Sequence, residues 1–298
     1  MVARSVMLAL ALLIAGCQAS VPEGSSVCGS GGTIRVGYVG VAEGQTLDEA
    51  QVISASDLER MRTLMSVASR CPVEFEPLLS PERARQRLQS GYWDLAFLPP
   101  GLTALAIQPG VDHQPVRSLM QRNRSRSALL VKVGSSVQRI QDLNGQRLGL
   151  LPRGSLTGFY LPLYNMHGVR LEQVRYAISY PDLLEMLRAG VVDAIAWDSA
   201  LPSPGADVRV LAEDSHEIPS GAMVLSPSLQ AQDHKHLLAT LDASANQMPQ
   251  DLGYSAVALS APLLFQDLRD IVRHVESWSL PEDGRSYTVY HNAGEAEG

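Results

Sequence analysis

The stretch LPRGSLTGFY (151–160) carries the residue types best suited to binding a small anion. Ser155 and Thr157 supply hydroxyl donors, and glycine lets the backbone approach a ligand closely. The stretch follows a short apolar run and opens a predicted helix, whose first N–H groups are unpaired and lie at the positive end of the helix dipole. Ser, Thr and Gly are also ordinary helix caps. The stretch therefore predicts either an anion site or a plain turn.

Other candidate ligand contacts lie where predicted strands end, which is the edge at which open α/β sheets bind ligands. They are Tyr38 and Gly40 at the end of the first strand, Pro100 and Gly101 at the end of the third, Tyr180 at a helix start, and Trp197 and Asp198 at the end of a later strand. The three rings would pack an organic ligand tail or belong to the core. Asp198 is useful in an anion site only if it accepts a proton from the ligand or pairs with a ligand amine. Its alternative is a solvated loop acid.

Composition and motifs argue against several function classes. The 298 residues carry a net charge of −7, which argues against nucleic acid as a partner. The sequence has no phosphate-binding P-loop, no nucleophile elbow and no His-Glu-x-x-His. We therefore expect no enzyme activity, no metal and no cofactor. The basic run MQRNRSRS (120–127) offers Arg122, Arg124 and Arg126 either as an anion clamp or as a solvated edge.

Strand and helix patterns occur twice along the chain, between 33 and 100 and again between 127 and 197. RLQSGYWDLAF (87–97) and MLRAGVVDAIA (186–196) both run from a helix through Gly-x-x-Asp into an apolar strand. Asp94 and Asp193 hold equivalent places, and we expect them to cap the turn rather than contact ligand. The alternation predicts an α/β protein of two lobes, with mostly parallel sheets, flanking helices and a cleft between the lobes.

The order of these elements resembles a known family. The segments that carry the resemblance are IRVGYVG (34–40), ARQRLQSGYWDLAFLPP (84–100), VKVGSSVQRIQDLNGQRLGLLPRGSLTGFYLP (131–162), LLEMLRAGVVDAIAW (183–197) and HEIPSG (216–221). They resemble the substrate-binding proteins of ABC transporters for phosphate, phosphite and phosphonates, within the type II periplasmic binding fold. The anion loop of that family usually reads Ser-Thr-Ser-Gly. The resemblance implies ligand contacts at Ser155, Leu156, Thr157 and Gly158, with a leucine in place of the middle hydroxyl.

The beginning of the chain, MVARSVMLALALLIAGC, resembles a bacterial lipoprotein signal. Its apolar run is too short to span a bilayer, which needs about 20 residues. LIAGC resembles a lipobox, which implies cleavage before Cys17 and a lipid on its sulfur; the alternative is a plain secretory signal. Cys28 and Cys71 then remain in an oxidising compartment, each just before a predicted strand. We expect them to form a disulfide, with two free thiols as the alternative.

These features predict a domain order and a function. We expect a lipoprotein signal peptide (1–16), a flexible linker (17–32), lobe one (33–120 with 216–298) and lobe two (121–215). The predicted function is a lipid-anchored, monomeric solute-binding protein on the extracytoplasmic face of a bacterial envelope. It would capture a small oxyanion of the phosphate, phosphite or phosphonate class between the lobes and deliver it to an ABC permease. The alternative is a ligand-sensing or partner-binding lipoprotein without a dedicated transporter.

Overall fold

The structure, a computed structural model, describes residues 26–39, 53–78, 80–119, 125–216, 218–259 and 263–290. The predicted signal peptide, the predicted lipid site Cys17 and the candidate contact Gly40 lie outside the described residues. Within these described ranges, no helix combines the length and the apolar character needed to cross a membrane.

Strands and helices alternate through most of the described chain. The strands are β1 (Ile34–Val39), β2 (Val73–Leu78), β3 (Leu95–Leu98), β4 (Gln114–Leu119), β5 (Ser127–Lys132), β6 (Arg147–Leu150), β7 (Arg170–Leu171), β8 (Gln173–Tyr176), β9 (Ala194–Asp198), β10 (Val208–Glu213), β11 (Ala222–Leu225), β12 (Tyr254–Ala258) and β13 (Tyr287–Thr288). The α-helices are α1 (Ala55–Ser69), α2 (Pro81–Gln89), α3 (Pro100–Ala106), α4 (Leu161–Asn165), α5 (Tyr180–Ala189), α6 (Pro227–Gln230), α7 (Lys235–Ala243) and α8 (Leu263–Glu276).

The strands form two main sheets, one in each lobe. Lobe one has the order β12-β4-β11-β3-β1-β2, and lobe two has the order β10-β5-β9-β6-β8. The inner strands β3 and β9 are wholly buried, as continuous apolar strands covered on both faces must be. The predicted two-lobed α/β fold is therefore confirmed.

The expectation of mostly parallel sheets is wrong. Four pairings are parallel, namely β1–β2, β1–β3, β6–β8 and β6–β9. Six further pairings among the described strands are antiparallel. The reason is the route between the lobes: the chain leaves lobe one along β4 and returns along β11, so these two strands run in opposite directions side by side.

The repeated Gly-x-x-Asp segments have matching structures. The Asp94 carboxylate accepts a hydrogen bond from the Arg35 backbone N–H at 2.9 Å, and the Asp193 carboxylate accepts one from the Arg147 N–H at 3.0 Å. Each aspartate thus fastens the start of its own strand to the start of the neighbouring parallel strand. This geometry fits the structural role predicted for both residues.

The two aspartates differ in their charge environment. The Arg147 guanidinium donates to both carboxylate oxygens of Asp193, at 2.8 and 2.9 Å, and this lowers the pKa of Asp193. Among the described residues, no guanidinium donates to the Asp94 carboxylate, and burial raises the pKa of Asp94. Acidification therefore removes stabilisation of the fold by the aspartate in lobe two and adds stabilisation by the equivalent aspartate in lobe one.

The predicted Cys28–Cys71 disulfide is present and joins residues whose Cα atoms are 5.8 Å apart. It fastens the chain before β1 to the end of α1. The Gln232 side chain adds two hydrogen bonds to the backbone of Cys28, accepting from its N–H at 3.1 Å and donating to its carbonyl at 2.8 Å. The beginning of the described chain is thus held firmly on lobe one.

The C-terminal part of the described chain, 263–290, contacts both lobes. Helix α8 packs against α3 of lobe one and against α4 of lobe two, and β13 pairs with β7 of lobe two. At the end of α8, Glu276 accepts hydrogen bonds from the Arg153 guanidinium, 2.7 Å from its Nε, and from the Tyr160 hydroxyl at 2.6 Å. Both donors flank the anion-loop candidate, so α8 stabilises that loop through residues on either side of it.

Candidate functional site

The loop 155–158 opens a short π-helix rather than the regular helix that its sequence predicts. The π-helix covers Leu156–Tyr160, and α4 follows it directly. Ser155 caps it, because its hydroxyl oxygen accepts from the Gly158 N–H at 2.9 Å. A Cβ at Gly158 would lie 2.7 Å from the Leu151 Cβ, so the tight return of the chain requires glycine there. π-helical turns occur often at functional sites.

Thr157 lies at the centre of a buried polar network. Its hydroxyl donates to the Asp198 carboxylate at 3.3 Å and also contacts the Tyr180 hydroxyl. A threonine hydroxyl has one proton, so Tyr180 is the donor towards Thr157 when that proton is given to Asp198. Ser127 donates to the Thr157 carbonyl at 2.9 Å. The structure therefore brings three predicted contacts, Thr157, Tyr180 and Asp198, into one hydrogen-bonded group.

Asp198 is 5% exposed, which excludes the solvated loop acid. Its carboxylate accepts from the Ser125 hydroxyl at 2.7 and 2.8 Å and from the Ala200 N–H at 2.8 Å, in addition to Thr157. Burial raises the pKa of Asp198, while these hydrogen bonds act in the opposite direction. A buried carboxylate with this set of donors is a structural centre of lobe two as well as a candidate ligand contact.

The three candidate aromatic residues are largely packed. Tyr180 is fully buried and Trp197 is 7% exposed, and their ring centroids are 5.5 Å apart. Trp197 and Asp198 are neighbours on β9, so their side chains point to opposite faces of the sheet. In lobe one, the Tyr38 ring lies 6.4 Å from the Phe75 ring. The rings of these residues thus serve the cores of their lobes.

Lobe one meets the loop at the start of α3. Pro100 is the first residue of α3, and Gly101 faces lobe two. A Cβ at Gly101 would lie 2.5 Å from the Gly154 carbonyl oxygen and 2.9 Å from the Leu156 N. Glycine therefore permits a close backbone approach between the lobes. Leu156 is fully buried beside this contact, so the leucine fills interlobe space with an apolar side chain.

A sequence match decides the family. The family model described as "ABC transporter, phosphonate, periplasmic substrate-binding protein" matches residues 44–254, well over half of the 298-residue chain. The chain belongs to this phosphonate-binding family. It is a family of transport substrate-binding proteins rather than of enzymes, and the resemblance noted from the sequence is confirmed.

Solved structures are similar to this member of the phosphonate-binding family. A Xanthomonas citri protein bound to chloride ion is 14% identical, with 82% of this chain and 99% of that chain covered and a TM-score of 0.64. PhnD1 from Prochlorococcus marinus in complex with methylphosphonate is 14% identical, with 83% and 99% covered and a TM-score of 0.57. A binding protein component of an ABC phosphonate transporter from Pseudomonas aeruginosa is 14% identical, with 80% and 85% covered and a TM-score of 0.57. At these identities the similarity establishes the fold alone. No curated protein sequence matches the chain.

Two serines of this phosphonate-binding family member that are not among the predicted contacts join the hydrogen-bonded group around Thr157 and Asp198. Ser125 and Ser127 lie in the run MQRNRSRS beside the candidate arginines. Serines two residues apart in an extended segment share a face, and this spacing was the available signal. Arg126 points elsewhere and pairs with Glu213 at 3.3 Å on the surface. Arg122 and Arg124 lie outside the described residues.

In the described ranges of the chain, no group of three or more His, Cys, Asp or Glu side chains is placed to hold a metal ion. The polar groups gathered at the site are hydroxyls and one carboxylate. Hydroxyls donate to anionic oxygens without a metal. The ligand-binding roles of the predicted site residues stay predictions.

Proposed function

We propose that this chain captures a small phospho-oxyanion, of the phosphate, phosphite or phosphonate class, between its lobes and delivers it to an ABC permease. Membership of the phosphonate-binding family supports the transport role. The ligand would bind at the carboxyl ends of the strands of lobe two, where open α/β sheets bind ligands. Closure of two lobes around a ligand is the motion expected of such a fold.

The observation that carries this proposal is the placement of Thr157. Its hydroxyl is fully buried, belongs to a chain of hydrogen bonds, and sits in a loop that the backbone of lobe one approaches at Gly101. A ligand oxygen that accepts from Thr157 or Tyr180 would be shielded from water, where hydrogen bonds to charged acceptors are strong. An anion held there would be within reach of both lobes.

We also propose that the protein acts as a monomer tethered by a lipid on Cys17 at the extracytoplasmic face of the envelope. The LIAGC sequence supports the anchor. Cys17→Ser should release the protein from the membrane fraction. Mass spectrometry of the wild-type N-terminal peptide should show a diacylglycerol-modified cysteine. A soluble wild-type protein with an unmodified Cys17 would contradict the anchor and leave the binding proposal untouched.

The buried Leu156 favours one competing function, a lipoprotein that senses a ligand or binds a partner without a transporter. This leucine stands where the family usually has a hydroxyl, so the loop has one donor fewer. It also adds an apolar contact between the lobes. A protein of this second kind would bind the phospho-oxyanions weakly or not at all.

Thermal shift measurements on the Cys17→Ser protein separate the two. The panel consists of phosphate, phosphite, methylphosphonate, aminoethylphosphonate, sulfate, taurine and small carboxylates. A ligand at about 100 times its Kd stabilises the fold by about 2.7 kcal/mol, which is a shift of several degrees. We expect a shift with a phospho-compound that Thr157→Val abolishes and Thr157→Ser preserves. No shift across the panel would refute the ligand class and favour the partner-binding lipoprotein.

A further inference from the structure

The two chain segments that cross between the lobes are hydrogen-bonded to each other. Ser125 and Ile218 form an isolated antiparallel bridge, in which the Ile218 N–H donates to the Ser125 carbonyl at 3.1 Å. Ser125 lies on the segment that enters lobe two, and Ile218 lies on the segment that returns to lobe one. Both residues are buried, at 2% and 4% exposure. A hinge motion between the lobes must act on this bridge.

Asp198 connects that bridge to the loop 155–158. Its two carboxylate oxygens hold the Ser125 hydroxyl at 2.7 and 2.8 Å, and one of them accepts from Thr157 at 3.3 Å. The adjacent backbone strengthens the connection, because Arg126 and Ser199 exchange hydrogen bonds, with the Ser199 N–H donating to the Arg126 carbonyl at 3.0 Å. One carboxylate therefore touches both the hinge and the candidate ligand loop.

The donors already present argue against a direct ligand contact for Asp198. An ionised carboxylate offers about four lone-pair positions, and Ser125, Ala200 and Thr157 occupy most of them. The Thr157 contact is the longest of the set. A ligand oxygen that competes for the Thr157 hydroxyl would take that contact away and leave Asp198 with the hinge serine.

We propose that Asp198 is a positioning residue that couples ligand binding at the loop 155–158 to the hinge bridge between Ser125 and Ile218. This inference rests on the proposed function for its ligand. It differs from a ligand-contact role because the carboxylate acts through Thr157 and Ser125 and does not touch the solute.

The first test uses the ligand-free protein and reads hydrogen exchange at the Ile218 amide. Asp198→Asn and Ser125→Ala should each raise that exchange by about fivefold or more, the lower end of typical coupling between sites. Thr157→Val should raise it as well, because it removes the hydroxyl that donates to Asp198. Tyr180→Phe is the matched control, because it removes a Thr157 partner and keeps the Thr157–Asp198 bond. Ser125→Thr, which keeps the hydroxyl, should restore the wild-type rate.

The control amide is that of Asp193, which donates to the Arg147 carbonyl within lobe two. A rise at Asp193 equal to that at Ile218 would mean general loosening of the fold and would overturn the proposal. Unchanged exchange at Ile218 in Asp198→Asn and Ser125→Ala would overturn it too. Both outcomes are independent of any ligand.

The second test compares methylphosphonate with aminoethylphosphonate. A positioning role predicts that Asp198→Asn weakens both by the same factor. Loss confined to the amine-bearing ligand would establish a direct contact and overturn the proposal. If the Ile218 exchange responds as expected and neither compound binds the wild-type protein, the coupling stands and the proposed ligand class fails.

Discussion

Glu276 is the residue through which helix α8 binds Arg153 and Tyr160 beside the candidate ligand loop. Its substitution should lower the free energy of unfolding by a definite amount. The perturbation is Glu276→Gln, which keeps the shape and removes the charge. Glu276 is 12% exposed and Arg153 is 29% exposed, and the Tyr160 side chain is fully buried. The substitution leaves the Arg153 guanidinium without its carboxylate and sets an amide where two donors point.

The magnitude follows from that burial. Breaking a buried ion pair costs about 3–5 kcal/mol, and breaking an exposed one about 0–1 kcal/mol. A pair that is mostly covered but retains some access to water should lie between, at about 2 kcal/mol. For a protein of this size about 2–4 °C of Tm accompanies each kcal/mol, so the expected fall in Tm is roughly 4–8 °C.

The assay is calorimetry or urea unfolding at neutral pH, with Glu282→Gln as the matched control. Glu282 lies in the same C-terminal segment and pairs with Arg285, but their side chains are 68% and 75% exposed. The control should change the free energy of unfolding by less than about 0.5 kcal/mol. Equal effects of the two substitutions would refute the reasoning that burial makes the Glu276 contacts stabilising.

Three further predictions concern the disulfide, the two capping aspartates and the interlobe contact at Gly101. The Cys28–Cys71 disulfide spans 43 residues, so replacing both cysteines with serine should lower the free energy of unfolding by about 4 kcal/mol, measured as a lower urea midpoint; an unchanged midpoint would contradict this. The pKa of Asp193 is lowered from 3.8, so the ionised carboxylate stabilises the folded state above that pH, and this stabilisation is lost as the pH falls through the folded-state pKa. The pKa of Asp94 is raised, so the free energy of unfolding of the wild type rises relative to that of Asp94→Asn on acidification. Urea unfolding of Asp193→Asn and Asp94→Asn between pH 7 and 3 should show opposite slopes against wild type, and slopes of the same sign would refute the assignment. Gly101→Ala places a Cβ 2.5 Å from a backbone oxygen of the facing lobe, so it should disfavour the close approach by about 1–3 kcal/mol and weaken ligand binding in calorimetric titration; wild-type affinity would show that the lobes need not approach there.

The sequence predicts the interior of the fold well, because buried parallel strands and their helices leave a strong hydrophobic pattern. The repeated segments around Asp94 and Asp193 identify both lobes and their equivalent strands. The antiparallel strands that carry the chain between the lobes are harder to predict. Strands β4 and β10 are mostly half-buried or exposed and contain polar residues, so their sequences resemble loops. They become strands because they pair with segments far away in the sequence.

The candidate site is only partly predictable for the same physical reason. Thr157 and Asp198 could be found because the first follows a strand and the second ends one, and both strand ends are visible in the sequence. Ser125 is harder to single out, because its spacing from Ser127 indicates only a shared face, while the partner of its hydroxyl lies 73 positions away. The π-helical turn at 156–160 was also missed, because its packing against Leu151 and lobe one overrides the ordinary helical pattern.

The ends of the described chain are fixed to different bodies. Cys28 is fastened to lobe one by its disulfide and by Gln232, while β13 is paired with β7 of lobe two. The distance between fluorophores placed near residues 28 and 288 would therefore report on the opening of the two lobes, with no label near the ligand loop.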